Sequence, residues 1–195
     1  MPLLFLQTIL LFSQQTDLSV DEEAGRYVIS ITMLDASTEK LIDSIREGYT
    51  AEVSFQIRLY KKMTGLFRIF GDRMIAEYHP TFEARWDVFN NHFTIVDTEG
   101  RPHIYTSREN FLDHFLHLSE FPISFEMQEG EEYYILSNVR LNTMKLVPPL
   151  TLLAPLLRGR GETSSWVRKP LPLDAGPVSS TPAATIRSPE GGPSG

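Results

Sequence analysis

Five histidines and a scatter of carboxylates are the residues through which this chain could move a proton or hold a metal. His114 and His117 stand three apart beside Asp113, the spacing at which two imidazoles share one helical face and reach one metal ion. Two ligands fall short of the four that a structural zinc site needs, and a third would have to come from His103 or a distant carboxylate. The pair is therefore read as a solvent-facing polar stripe opposite Phe111 and Phe115, and no metal ligand is assigned. His79, beside Pro80, and His92 stand alone and are read as turn or surface residues.

Glu83, Arg85 and Asp87 are two apart, which places them together on one face of a strand, where water screens them and leaves no cause for a shifted pKa. They are read as a solvated face. The sequence holds no nucleophile elbow, phosphate-binding loop or GxGxxG, so no catalytic or cofactor-binding residue is assigned and no cofactor is implied. Lys61, Lys62, Arg68 and Arg73 surround Leu66, Phe67, Ile69 and Phe70 in the one locally basic, aromatic-interleaved stretch. Such a stretch can touch anionic lipid or a protein partner, or it can be an edge strand guarded by charge, the commoner need.

Composition narrows the classes further. The 195 residues are 42% hydrophobic, enough for one domain with a core plus appendages. A formal charge of -7 leaves no general footprint for nucleic acid. With no cysteine there are no disulfides, thiol catalysis or cysteine zinc sites, and stability must come from packing.

The elements that must position these residues are read from periodicity. Residues 3–12 form an apolar run too short to span a bilayer but of the right length for a signal peptide, so export is expected, with the mature chain beginning between Ser13 and Val20. Tyr27, Ile29, Ile31 and Met33 alternate on a first strand. Leu41, Ile42 and Ile45 form a helical stripe between capping residues at 35–38 and Gly48. Val53, Phe55, Ile57 and Leu59 alternate on a second strand, and the segment from Lys61 to Gly71 reads as an irregular connection or edge. A meander follows. A two-residue loop at Asn90-Asn91 would pair Val88 with Phe93, Trp86 with Ile95, Asp87 with Thr94 and Arg85 with Val96, and a turn at 98–101 would pair Ile95 with Ile104.

Ser107 then caps a helix expected to run to about Leu118, with Phe111, Leu112, Phe115 and Leu118 as its buried stripe. Tyr133, Ile135, Val139 and Leu141 share a strand face interrupted by Ser137. Residues 146–157 are apolar but carry three prolines, which suits an extended cover across the sheet. The fold class is thus mainly β: an antiparallel sandwich-like domain with two short helices and a disordered C-terminal tail. Its divisions are a signal-peptide-like segment at 1–19, a globular domain at 20–157 and a Pro/Gly/Ser-rich tail at 158–195.

The order of these features resembles a known family. The apolar start, the strand from Tyr49 to Leu59, the Trp86 strand, the helix, Tyr133-Tyr134 leading through Val139-Arg140-Leu141 into Leu146-Val-Pro-Pro-Leu150, and the late Trp166 are similar to the uncharacterised bacterial exported proteins grouped as domain of unknown function number 4390. The resemblance covers about residues 27–166 and implies fold and location, transferring no functional residue. The expected function is a non-enzymatic periplasmic or envelope-associated protein that binds another envelope protein, with membrane-surface contact open to it and no nucleic acid. Its docking element would be a sheet edge, the Lys61–Arg73 segment or the Pro-rich run. The alternative is a carrier of a small apolar ligand held between sheet and cover. An enzyme whose site assembles only in space ranks below both.

Overall fold

Strict alternation of apolar and polar side chains builds the centre of this molecule. In the computed structural model, which describes residues 15–23, 26–128, 130–145 and 161–172, the elements in order are β1 Thr16–Glu23, β2 Arg26–Met33, α1 Thr38–Arg46 and β3 Thr50–Lys61. A 3-10 turn at Gly65–Phe70 leads to β4 Arg73–Tyr78, β5 Thr81–Asp87, β6 His92–Val96 and β7 Pro102–Tyr105. Then come α2 Arg108–Leu116, β8 His117–Ile123, β9 Tyr133–Lys145, β10 Gly161–Thr163 and β11 Val167–Pro170. Among the described residues no helix is long and apolar enough to cross a membrane.

All strand pairings are antiparallel. One sheet runs β1-β2-β8; the larger runs β10-β9-β3-β5-β6-β7, with β4 also on β3 and β11 also on β9. The inward faces of both sheets meet in one core, closed by Leu41, Ile42 and Ile45 of α1 and by Phe111 and Phe115 of α2. Val53, Phe55, Ile57 and Leu59 are fully buried, as the alternation requires, and so are Ile135, Val139 and Leu141 across the β3–β9 ladder. Gly48, at φ 95°, takes the left-handed position just past α1. The molecule is therefore mainly β, antiparallel and sandwich-like, as the pattern predicts.

Three expectations need correction. The β5–β6 register is two residues off: Trp86 faces Phe93 and Ala84 faces Ile95, around a four-residue loop at 88–91. Asp87 is the cause, because its carboxylate accepts the backbone N–H groups of Phe89 and Asn90 at 2.9 and 3.0 Å and so organises the turn. An even slip keeps the core face but leaves Val88 and Phe89 outside. The β6–β7 register is one residue off, pairing Ile95 with His103 and Thr94 with Ile104. Here Asp97 accepts from the N–H groups of Glu99 and Arg101, and Gly100 adopts φ 79°, which gives a loop one residue longer than expected. An odd slip reverses the strand's faces, so Ile104 is exposed and His103 and Tyr105 turn inward.

The second helix stops at Leu116, and β8 follows without a turn. Glu120, at φ 49°, sits in a bulge opposite Ser30, so Leu118 and Phe121 reach one face while three residues apart. That spacing imitates a helix. Described strands also lie beyond the expected limits at 20 and 157. Leu18 on β1 is buried beside Ile31, and the Ser164 Oγ–Val139 N–H bond of 2.9 Å and buried Leu171 tie residues 161–172 to β9. Polar composition hid those two short strands. Of the expected signal segment at 1–19, residues 1–14, with the apolar run at 3–12, lie outside the described residues, as does the cover at 146–157.

These registers predict mutational costs. Phe93→Ala should destabilise the domain by about 3–5 kcal/mol by emptying a core site, whereas Val88→Ser and Ile104→Ser should stay within about 0.5 kcal/mol. Urea denaturation checks both, and a large cost at Val88 would restore the two-residue loop.

Candidate functional site

Register reversal in β7 gathers rings that the sequence keeps apart. His114, expected on an exposed stripe, instead lies against Phe82, His103 and Tyr105, with ring centroids 5.6, 5.3 and 5.4 Å away. Burial first, and then the neighbouring His103, push its pKa down, which favours the neutral ring. His117 turns the other way, placing Nδ1 2.6 Å from Thr32 Oγ1, because it belongs to β8 and no longer shares a helical face with His114. Among the described residues no group of three or more His, Asp or Glu side chains could hold a metal ion.

Asp97 lies 3.3 Å from His103 Nε2, yet it is first a turn residue. Burial works against its charge, but hydrogen bonds from the Arg101 N–H and guanidinium and from His103 outweigh that and hold the carboxyl well below the usual carboxylate range. Asp87 is likewise held low, chiefly by the Asn90 side chain and backbone. The expected solvated acids at 83–87 thus include one carboxylate with a structural duty. His79, in the β4–β5 turn, is exposed and lies 3.5 Å from Glu77, whereas His92, the first residue of β6, is largely covered and lies 3.9 Å from that same Asp87.

The outer face of the large sheet carries a second constellation near the Lys61 end of β3. Tyr60 and Tyr134 stack at 5.3 Å with only 8° between their planes, and Arg168 lies over Tyr134 at 3.6 Å. Arg58 reaches over Trp166 at 4.8 Å and binds Glu77, whose pKa the Arg58 and Gln56 hydrogen bonds lower to about 2. Tyr134 Oη donates to Asp72 Oδ2 at 2.8 Å, while Asp72 Oδ1 accepts from the Met63 N–H at 3.1 Å. Those two bonds, the Met63 one first, lower the Asp72 pKa; burial first, and then the bond to Asp72, raise that of Tyr134 to about 12. Asp72 thus clamps both ends of the β3–β4 connection to the sheet.

Beyond that clamp projects the most exposed apolar group of the fold. Leu66, Phe67, Ile69 and Phe70 are 87%, 63%, 82% and 81% exposed, and Met74 and Ile75 continue the strip onto β4. In a 3-10 turn residues three apart eclipse, so Leu66 with Ile69 and Phe67 with Phe70 cover two of the three faces, leaving the third to Arg68. Gly65 and Gly71, at φ 61° and 81°, supply the left-handed positions through which the chain enters and leaves. Of the four expected basic residues, Lys61 pairs with Glu131 at 2.9 Å and Lys62 with Glu132 at 2.5 Å. Arg68 and Arg73 have no carboxylate partner among the described residues. The sequence marked this segment as basic and aromatic, but no periodicity announced that its apolar residues would face water.

The half-buried imidazole of His114 carries a testable pH dependence. Because folding depresses the His114 pKa, the unfolded chain binds the proton more readily, so this group costs no stability above about pH 6.5 and progressively more as pH falls below it. His103, Asp97, Asp113 and His117 are the titrating neighbours that act on it. Urea denaturation at about pH 7.5 and about pH 5.5 should show a smaller loss on acidification for His114→Gln than for the parent chain. Equal losses would contradict a half-buried ring that favours its neutral form.

No curated protein and no solved structure matches this chain significantly. The family model described as Domain of unknown function (DUF4390) matches residues 13–169, a span that takes in β1, β10 and most of β11. It covers most of the chain, with limits that agree with the extra strands rather than with the narrower division expected from composition; the chain therefore belongs to the DUF4390 family.

Proposed function

We propose that this protein is a non-enzymatic interaction module whose docking element is the clamped tip between β3 and β4. One observation carries the reading. Four large apolar side chains stand in water on a turn whose base is hydrogen-bonded to the sheet through Asp72 and Tyr134. Exposed apolar groups so concentrated mark binding surfaces, and a pre-ordered base lowers the entropy lost on docking. The apolar run at residues 3–12 supports export, and with it a partner in the envelope.

The carrier reading gains nothing from the described core. Phenylalanines that would line a ligand cavity stack on one another instead: Phe93 on Phe111 at 4.4 Å and Phe111 on Phe115 at 5.4 Å. All three are buried within the common core.

The docking reading predicts that Leu66→Ser with Phe70→Ser shifts the melting temperature by no more than about 2 °C, since exposed positions contribute little to folding. A photo-crosslinking residue at 67 should form adducts in intact cells, with lipid or with protein, well above those formed by one at exposed Glu47. A fall in melting temperature typical of a core change would overturn the reading, and so would indistinguishable crosslinking at both positions.

A further inference from the structure

We infer that the occupant of the tip is a lipid bilayer bearing anionic headgroups, into which Leu66, Phe67, Ile69 and Phe70 insert while Arg68 and Arg73 meet the headgroups. This rests on the docking reading and names the partner. The first argument is shape. The tip is convex, with apolar side chains on two of the three faces of its 3-10 turn, so a flat protein surface would cover one face and strand the other. A fluid acyl layer closes around both.

The second argument is area. Four side chains of this size, exposed as they are, offer on the order of 500 Å², short of the roughly 800 Å² per partner of a stable protein complex. A second copy of this chain docking tip to tip would be undersized. Bilayer insertion has no such threshold, because each buried side chain adds its own transfer free energy.

The third is charge. The chain as a whole is acidic at -7, yet the cations nearest the apolar turn that lack an internal carboxylate are Arg68, within it, and Arg73, just past Gly71. Lys61 and Lys62, at the base, are already matched by Glu131 and Glu132. The available positive charge therefore sits where headgroups lie when apolar side chains enter an acyl layer.

The chain's own outlying segments do not suit the tip. Residues 146–160 leave after Lys145, opposite Thr50, and return at Gly161, opposite Asn142. Both points lie at the other end of β3, opposite Thr50 and Glu52, about 36 and about 30 Å from Lys61 at about 3.3 Å per residue. Tethered at both ends, that connection reaches about 25 Å at full extension. The chain before Gln15 also joins at that far end, since Gln15 O accepts from Leu34 N–H and Ser37 N–H bonds Glu162 on β10, so only a nearly straight, fully extended course would bring even its leading residues to the turn. Residues 173–195 leave from Pro172, on the tip's side, where Tyr27 Oη donates to the Pro172 carbonyl. Their large apolar side chains are Leu173, Val178 and Ile186, too sparse to cover the turn.

The test uses the full chain, whose lack of cysteine makes a single introduced thiol a unique label. An environment-sensitive fluorophore on Thr64→Cys, beside the turn, should shift to the blue on adding vesicles of equal parts phosphatidylglycerol and phosphatidylcholine. The same fluorophore on Phe89→Cys, at the opposite end of the sheet, should not. Arg68→Gln with Arg73→Gln should weaken the titration by about tenfold or more, since each basic residue near an anionic surface gives roughly fivefold. Phe67→Ser with Phe70→Ser should abolish the shift.

No shift at position 64, a shift only at position 89, or an equal response to phosphatidylcholine alone would overturn the inference. Dimers seen by sedimentation equilibrium and lost in the Phe67→Ser, Phe70→Ser variant would also overturn it, assigning the tip to a second copy. The melting temperature of that variant separates the two failures: if the parent chain labelled at position 64 gives no vesicle response, unchanged melting of the variant removes only the membrane, whereas lowered melting removes the docking reading with it.

Discussion

The β3–β9 ladder is the constraint on which the other parts of the molecule rest. Along it Val53, Phe55, Ile57 and Leu59 lie opposite Leu141, Val139, Ser137 and Ile135, all buried on the same face. Because side chains alternate, a slip of one residue on either strand would turn its entire row into water, at about 1.5–3 kcal/mol for each large apolar side chain. That penalty fixes the register, and the register fixes the rest. Strands β4 and β5 add to the free edge of β3, β10 and β11 add to that of β9, and the β1-β2-β8 sheet closes over the inward face. The ladder tolerates one irritant, Ser137, whose buried Oγ has no hydrogen-bond partner among the described residues.

Where the ladder ends, at Lys61 and Tyr133, the chain must cross from β3 to β4, and it does so by projecting. A connection of this kind usually minimises its exposed apolar surface. Here the Asp72 carboxylate joins Met63, Tyr134 and so the stacked Tyr60–Tyr134 pair into one support, on which the apolar turn stands away from the core. The same interactions explain both pKa displacements in the support. The bonds from Met63 and then Tyr134 lower the Asp72 pKa, and burial, reinforced by the bond to the Asp72 carboxylate, raises that of Tyr134. Structure and electrostatics thus describe a turn held out rather than one left loose.

Elements with a sustained apolar period are legible from the amino-acid order: β2, β3, β9 despite Ser137, and the helical stripe of α1. What escaped lies where one side chain overrides the period. Asp87 and Asp97 set turn lengths by accepting backbone N–H groups, and so moved two registers that apolar matching alone had placed elsewhere. Glu120 inserts a bulge that gives Leu118 and Phe121 helical spacing within a strand. Strand β1 has a readable Leu18–Val20 alternation, but it directly follows an apolar run that suggests a removable segment. The tip was noticed for its charges and rings, while its exposure depends on a 3-10 turn between two left-handed glycines, which no pattern of apolar residues encodes.

The account stands on the tip being displayed by the isolated monomer, before any partner arrives. Hydroxyl-radical footprinting of the monomeric chain, read residue by residue by mass spectrometry, tests this directly. Phe67 and Phe70 should oxidise about as fast as Phe89, which is 99% exposed, while Phe55 and Phe93 should resist. Protection of Phe67 and Phe70 to the level of Phe55 in the monomer would contradict the display of the tip and, with it, the function built upon it.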